Sequence, residues 1–70
     1  MKRDPRVEPR PGDELRGPSG SIRRVWKMLA DGVAYHVIRA NGEDLGPGWC
    51  KSDYWPTKVA DFEIVKVADE

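Results

Sequence analysis

Residues 31–42, DGVAYHVIRANG, place a turn signal at each end of an alternating apolar run. An Asp-Gly pair between two apolar runs favours a tight hairpin, because both central residues of a type I′ turn need a positive φ. Asn41-Gly42 is a second signal of the same kind. We therefore predict a central strand over residues 33–40, bracketed by two hairpin corners, with positive φ at Asp31 and Gly32.

The preceding segment, residues 21–30, reads SIRRVWKMLA and is rich in β-branched and aromatic residues. Its apolar positions also fit one stripe of a helix, but the Asp-Gly corner favours a strand. Counting by twos places Ile22, Trp26 and Met28 on one face, which we predict to be the inner one. Val25 and Leu29 then lie on the other face.

The flanking segments extend the β pattern in both directions. We predict a short opening strand at residues 14–16, a turn at 17–20, a loop at 43–48, a fourth short strand at 49–52, an irregular or 3₁₀ turn at 54–61 and a last strand at 62–67. About five short strands in a chain of this length predict closure into a small barrel, since an open sheet leaves unpaired edges.

Both chain ends are predicted to lie outside the domain formed by residues 13–67. Residues 1–12 contain three prolines and few aliphatic side chains, which predicts a flexible basic tail. Residues 68–70 are predicted to fray. Residues 1–27 carry eight basic and four acidic side chains, whereas residues 28–70 carry four basic and eight acidic ones. This asymmetry permits an anionic partner although the net charge is zero.

Composition argues against several classes of protein. One cysteine and one histidine allow no internal disulfide and no four-ligand zinc site within the chain. No apolar run is long enough to cross a bilayer, and the first residues are charged rather than signal-like. We predict a cytoplasmic protein without cofactor, metal or membrane association.

The opening PGDELRGPSGSIRRV resembles the start of small bacterial SH3-like proteins. In these, Gly-Asp precedes a first strand and a Ser-Gly turn precedes a second. The later order, a long hairpin and then a Trp/Pro turn before the last strand, is similar as well. A more distant similarity links the chain to KOW-type modules of ribosomal and transcription factors. The resemblance implies an all-β, five-stranded SH3-like barrel, and a fold does not by itself determine function.

Residues 48–56, GWCKSDYWP, concentrate two of the three tryptophans. We predict that Trp55, next to a proline and near Phe62, belongs to the core. Trp49, beside a loop, is an equal candidate for the core and for an exposed contact. With Tyr54 it forms the predicted aromatic patch, which suits a peptide or stacked bases.

Four basic residues form a second candidate site on the outer face of the long hairpin, namely Arg23, Arg24, Lys27 and Arg39. Such a stripe could contact phosphates. The alternative is a solvated face whose cations are balanced by Asp31, Glu43 and Asp44.

Catalysis is not predicted. Cys50 and His36 are the nucleophile and base types, but no orienting third group or phosphate-binding glycine spacing accompanies them.

We predict a small binding or adaptor module that contacts a protein partner through the hairpin face and the aromatic patch. The alternative is a nucleic-acid-binding protein that uses the basic tail and the hairpin arginines. A homo-oligomer paired through an edge strand is a third possibility. The composition would suit an accessory protein of a bacterium or phage.

Overall fold

The computed structural model describes residues 3–68, which form five strands and one short helix. The elements are β1 (Glu14–Arg16), β2 (Ile22–Met28), β3 (Gly32–Ile38), β4 (Asp44–Lys51), α1 (Trp55–Lys58) and β5 (Glu63–Lys66). The strands build one antiparallel sheet in the order β4-β3-β2-β1-β5. The predicted all-β class is confirmed. Residues 1–2 of the predicted tail and 69–70 of the predicted frayed end lie outside the described residues.

Both predicted corners join neighbouring strands, but the first has a different conformation from the one predicted. The Leu29 amide donates to the Gly32 carbonyl at 2.9 Å, which leaves only Ala30 and Asp31 in the turn. Neither Asp31 nor Gly32 has a positive φ. The predicted type I′ geometry is therefore wrong at this corner, and Gly32 is the first residue of β3.

The second corner depends on its glycine for conformation. The Arg39 carbonyl accepts from the Gly42 amide at 2.8 Å, and the Arg39 amide donates to the Glu43 carbonyl at 2.7 Å. Gly42 has a φ of 94°, the left-handed geometry that closes a three-residue hairpin loop. Residues 43–48, predicted as a loop, belong largely to β4. Their glycines and proline are accommodated because β4 is an edge strand with a register shift beside His36 and Ile38.

The structure reverses the predicted inner face of β2 at Val25 and Trp26. Val25 pairs with Tyr35, but Lys27 pairs with Ala34, so Trp26 is an extra residue on the β2 side. Val25 is buried in the core, whereas Trp26 and Met28 are exposed. Alternation itself holds from Arg23 to Trp26, so the error lies in which face was taken as the inner one, and the bulge then brings Lys27 to the same side as Trp26.

The core lies between the inner face of the sheet and α1. It contains Leu15, Val25, Val33, Tyr35, Cys50, Trp55 and Val59. Pro56 occupies the first turn of α1, where its missing amide costs no hydrogen bond. Trp55 is 0% exposed, so the predicted core role is confirmed. In residues 3–68, no helix has the length and apolar character needed to span a bilayer.

The N-terminal segment, predicted as a flexible tail, packs against the domain from residue 3 onward. Pro5 is fully buried, and its carbonyl accepts a 2.9 Å hydrogen bond from the Trp55 indole. The Asp4 carbonyl accepts from the amides of Val7 and Glu8, forming a compact turn. The segment has few aliphatic residues, but one buried proline and a set of directional hydrogen bonds position it.

Asp13, directly before β1, forms hydrogen bonds with residues at both ends of the described chain. Its buried carboxylate accepts two hydrogen bonds from the Arg3 guanidinium. It also accepts from the Arg10 amide and the Ala68 amide, each at 2.7 Å. Ala68 is therefore held by a specific contact, in contrast to the predicted frayed end.

These contacts outweigh the cost of burying a charge. Burial alone raises the pKa of Asp13, but the hydrogen bonds from Arg3, Ala68 and Arg10 together hold it below its usual value. The carboxylate is therefore the form that the folded protein favours.

Candidate binding face

The outer face of β2, β3 and β4 carries three aromatic residues, Trp26, His36 and Trp49, and we name it the tryptophan face. The Trp26 and His36 rings meet edge to face, with centroids 5.2 Å apart and an interplanar angle of 80°. Trp49 pairs across the ladder with Ala34, two residues from His36 on the same face of β3. Adjacent strands thus bring together residues that are far apart in sequence.

Trp49 has its position because Gly32 lacks a side chain. A Cβ atom at Gly32 would lie 2.2 Å from Trp49 Nε1, so the indole packs directly on the backbone there. Trp49 nevertheless remains 48% exposed. The sequence prediction left Trp49 undecided between core and surface, and the structure places it on the surface. The glycine of the first corner therefore makes room for a ring rather than supplying a special φ.

Trp26 lies on the same face because it follows Val25, which points into the core. Its indole is 49% exposed, and Lys27 Nζ lies 4.4 Å from the ring centroid, within the range of a cation–π contact. Trp26 was predicted to face inward and was therefore not predicted as a site residue. No local signal shows which face of β2 is the inner one, since that depends on the pairing with β1 and β3.

The carboxylates on this face are already paired within the protein. Glu14 Oε2 accepts from Arg24 Nε at 3.1 Å, and Asp44 Oδ2 lies 3.1 Å from His36 Nδ1. The pKa of Asp44 is lowered first by the hydrogen bond from the Gly46 amide and then by His36. Two acidic groups are thus occupied by neighbours at the margin of the tryptophan face.

The predicted basic stripe does not form as a unit. Arg23 turns inward, with its guanidinium 5.0 Å from the Tyr35 ring centroid and 5.5 Å from that of Phe62. Its Nε is buried and has no hydrogen-bond partner within residues 3–68. Arg39 lies beyond β3 in the second corner, 3.7 Å from Glu43. Arg23 was predicted to point outward because Ile22 and Trp26 were taken as the inner face, whereas Arg23 shares the inner side with Leu15 and Val25.

The other predicted site residues are divided between the face and its surroundings. Arg24, Lys27 and Trp49 come together on the outer side of the sheet. Tyr54 is exposed but lies after β4, at the start of α1 and outside the tryptophan face. His36, considered in the sequence only as a catalytic base, instead packs edge to face against the Trp26 ring.

The structure separates the two residue types that could perform nucleophilic chemistry. Cys50 pairs with Val33 and belongs to the core, and burial raises the pKa of its thiol. His36 lies on the opposite face of the same sheet. The two cannot therefore act as a nucleophile and base pair. Within residues 3–68, no three His, Cys, Asp or Glu side chains are grouped to hold a metal ion.

Comparison with known proteins identifies no relative of this chain. No protein-family model, no curated protein and no solved structure matches the chain. The functional assignment therefore depends on the tryptophan face itself.

Proposed function

We propose that this chain is a small non-enzymatic binding module that contacts a protein partner through the tryptophan face. The observation that carries the proposal is the pair of indoles, Trp26 and Trp49, each about half exposed on one side of the sheet. Tryptophan is enriched among the residues that dominate binding energy at protein interfaces. In a chain this short, leaving two such side chains outside the core sacrifices burial that would stabilise the fold.

The proposed scaffold is an SH3-like barrel. In its support, the sheet has the order β4-β3-β2-β1-β5, and the Trp-Pro turn α1 separates β4 from β5. Leu15 of β1 and Cys50 of β4 share one core with Trp55, so the sheet curves around α1. β3 pairs with both strands that carry the indoles, β2 and β4, and a preformed arrangement of this kind lowers the entropy lost on binding.

A protein partner accounts for the charges better than a phosphate backbone does. Arg24 and Arg39 each lie beside a carboxylate, and Arg23 stacks on rings of the inner side. Phosphate contacts would have to compete with these intramolecular ones. The opposing observation is Lys27 beside the Trp26 ring, a combination that suits a stacked base with its phosphate. Binding of nucleic acid is therefore the second candidate.

The test is an affinity capture from a lysate with the wild-type chain and a Trp26→Ala/Trp49→Ala double variant, scored for protein and for nucleic acid. Val65→Ala is the matched control, because Val65 is an exposed apolar residue of β5 outside the face. We expect a protein that the wild type and the control retain and the double variant loses, with unchanged circular dichroism. Retention of the same protein by the double variant would refute the proposal, and salt-sensitive capture of nucleic acid alone would favour the second candidate.

A further inference from the structure

Two ammonium groups border the tryptophan face without an acidic partner. Lys27 pairs across the ladder with Ala34, directly beside Trp49 on the next strand. Lys51 lies two residues beyond Trp49 on β4 and therefore points to the same face. Both lysines are exposed, and neither forms an ion pair within residues 3–68.

Two acidic groups at the margin of the face are already occupied. Glu14 is bound by Arg24, and Asp44 is bound by His36 and the Gly46 amide. Within the described part of the chain, the face therefore presents two exposed indoles and two lysines that form no ion pair, with one exposed carboxylate, Asp31, in the adjoining first corner. Lys27 on β2 and Lys51 on β4 lie on either side of β3, two strand spacings or about 10 Å apart across the sheet. The positive charges therefore flank Gly32 and Ala34 of β3.

We infer that the partner presents to this face an acidic peptide segment that carries large apolar side chains. The apolar side chains would pack on the indoles of Trp26 and Trp49, and carboxylates on either side would meet Lys27 and Lys51. This inference rests on the proposed function and adds the chemistry of the partner. A basic or purely polar segment would place like charges together or leave the indoles uncovered.

Synthetic peptides test the inference with the intact chain. The probe is a short peptide that alternates phenylalanine with glutamate, and three relatives replace glutamate by serine, glutamate by lysine, or phenylalanine by alanine. Binding is measured by titration calorimetry at low and high salt. We expect the acidic-apolar peptide to bind tightest, about fivefold tighter than the serine form, because each exposed ion pair adds a modest contribution that salt weakens.

Matched charge variants locate the interaction. Lys27→Glu and Lys51→Glu should each weaken binding of the acidic-apolar peptide by about fivefold or more, because attraction is replaced by repulsion. Lys58→Glu makes the same charge change in α1, on the inner side of the sheet, and should leave the affinity unchanged. Perturbation of the Trp26 and Trp49 indole N–H signals in an NMR titration should accompany binding, with Trp55 unaffected.

Other results would contradict the inference in distinguishable ways. Equal or tighter binding of the lysine peptide at the same indoles would refute acidic recognition but leave the tryptophan face as a protein-binding site. A free protein that dimerises, with Trp49→Ala dissolving the dimer, would place a second copy on the face instead. Binding of a single-stranded oligonucleotide but of none of the peptides would refute this inference and the proposed function together. Both would also fail if no peptide bound and the Trp26→Ala/Trp49→Ala double variant captured the same proteins as the wild type.

Discussion

Trp49 and Trp55 are six residues apart and have opposite environments. Trp55 is buried under the N-terminal segment, and its indole donates to the Pro5 carbonyl. Trp49 rests on the Gly32 backbone and keeps about half its surface exposed. Within residues 3–68, the inner side of the sheet thus receives a second layer, α1 and residues 3–12, and the outer side receives none. The environment of each ring depends on what the rest of the chain places over it.

The largest loss of stability is expected at Asp13, which holds residues 3–12 against the sheet. Asp13→Ala removes the buried partner of Arg3 and the acceptor for the Arg10 and Ala68 amides. Loss of one member of a buried charge pair costs about 3 to 5 kcal/mol, so the variant should be severely destabilised or unfolded in a denaturant titration. Glu63→Ala, which breaks the exposed pair with Arg16, is the control and should cost less than about 1 kcal/mol. Similar losses for the two variants would show that the inner layer does not depend on Asp13.

Acid should weaken the interactions of the Asp13 carboxylate. The pKa of Asp13 is lowered on folding, so its charge stabilises the native state above the unfolded pKa, about 3.9, and that contribution disappears as the pH falls through the lower folded value. The stability advantage of wild type over Asp13→Asn should therefore be full near pH 6 and shrink below about pH 4. Thermal unfolding across this range measures it. A constant difference at all pH values would contradict the assigned role of the charge.

Trp55→Phe tests the hydrogen bond between the core and the N-terminal segment. It keeps an aromatic ring but leaves the buried Pro5 carbonyl without its donor, which should cost about 1 to 3 kcal/mol in a denaturant titration. Hydrogen exchange of the amides of Val7 and Glu8 should accelerate, because their turn loses its anchor. Unchanged exchange would show that residues 3–12 hold their position without Trp55.

Gly32→Ala should disturb the outer face and spare the inner one. The new Cβ would lie 2.2 Å from Trp49 Nε1, so the indole must move. Because Trp49 is bordered by solvent, we expect a cost of about 1 kcal/mol, at the low end for overpacking, with a changed Trp49 N–H chemical shift. Gly42→Ala is a different control, since nothing crowds its Cβ and only its φ of 94° is strained. An unmoved Trp49 signal in Gly32→Ala would disprove the stacking.

The smallest effect on stability is expected for Trp49→Ala. Surface substitutions generally change the free energy of unfolding by about 0.5 kcal/mol, and loss of the cover over the Gly32 backbone adds little more. A denaturant titration showing a loss of several kcal/mol would mean that Trp49 is structural, and the contrast with Trp55 would fail.

Much of the sheet was predictable from local signals. Two turn pairs, alternating runs and the Trp-Pro break predicted five strands and the burial of Trp55. The candidate site was only partly predictable. Arg24 and Lys27 lie on the outer side as expected, and Trp49 lies beside them, but Trp26 and Arg23 exchange faces relative to the prediction, because the inner face of β2 is set by its pairing with β1 and β3.

The sequence by itself determined the extended conformation of the chain and the places where it turns, because glycine, proline and β-branched residues act through their own backbone preferences. Only the tertiary structure determined which side of each strand faces the core and which faces solvent. The pairing of β2 with β3 places the bulge at Trp26, the approach of β4 puts Trp49 on Gly32, and Asp13 draws residues 3–12 over Trp55. Such outcomes depend on contacts between residues distant in sequence, which no local preference encodes.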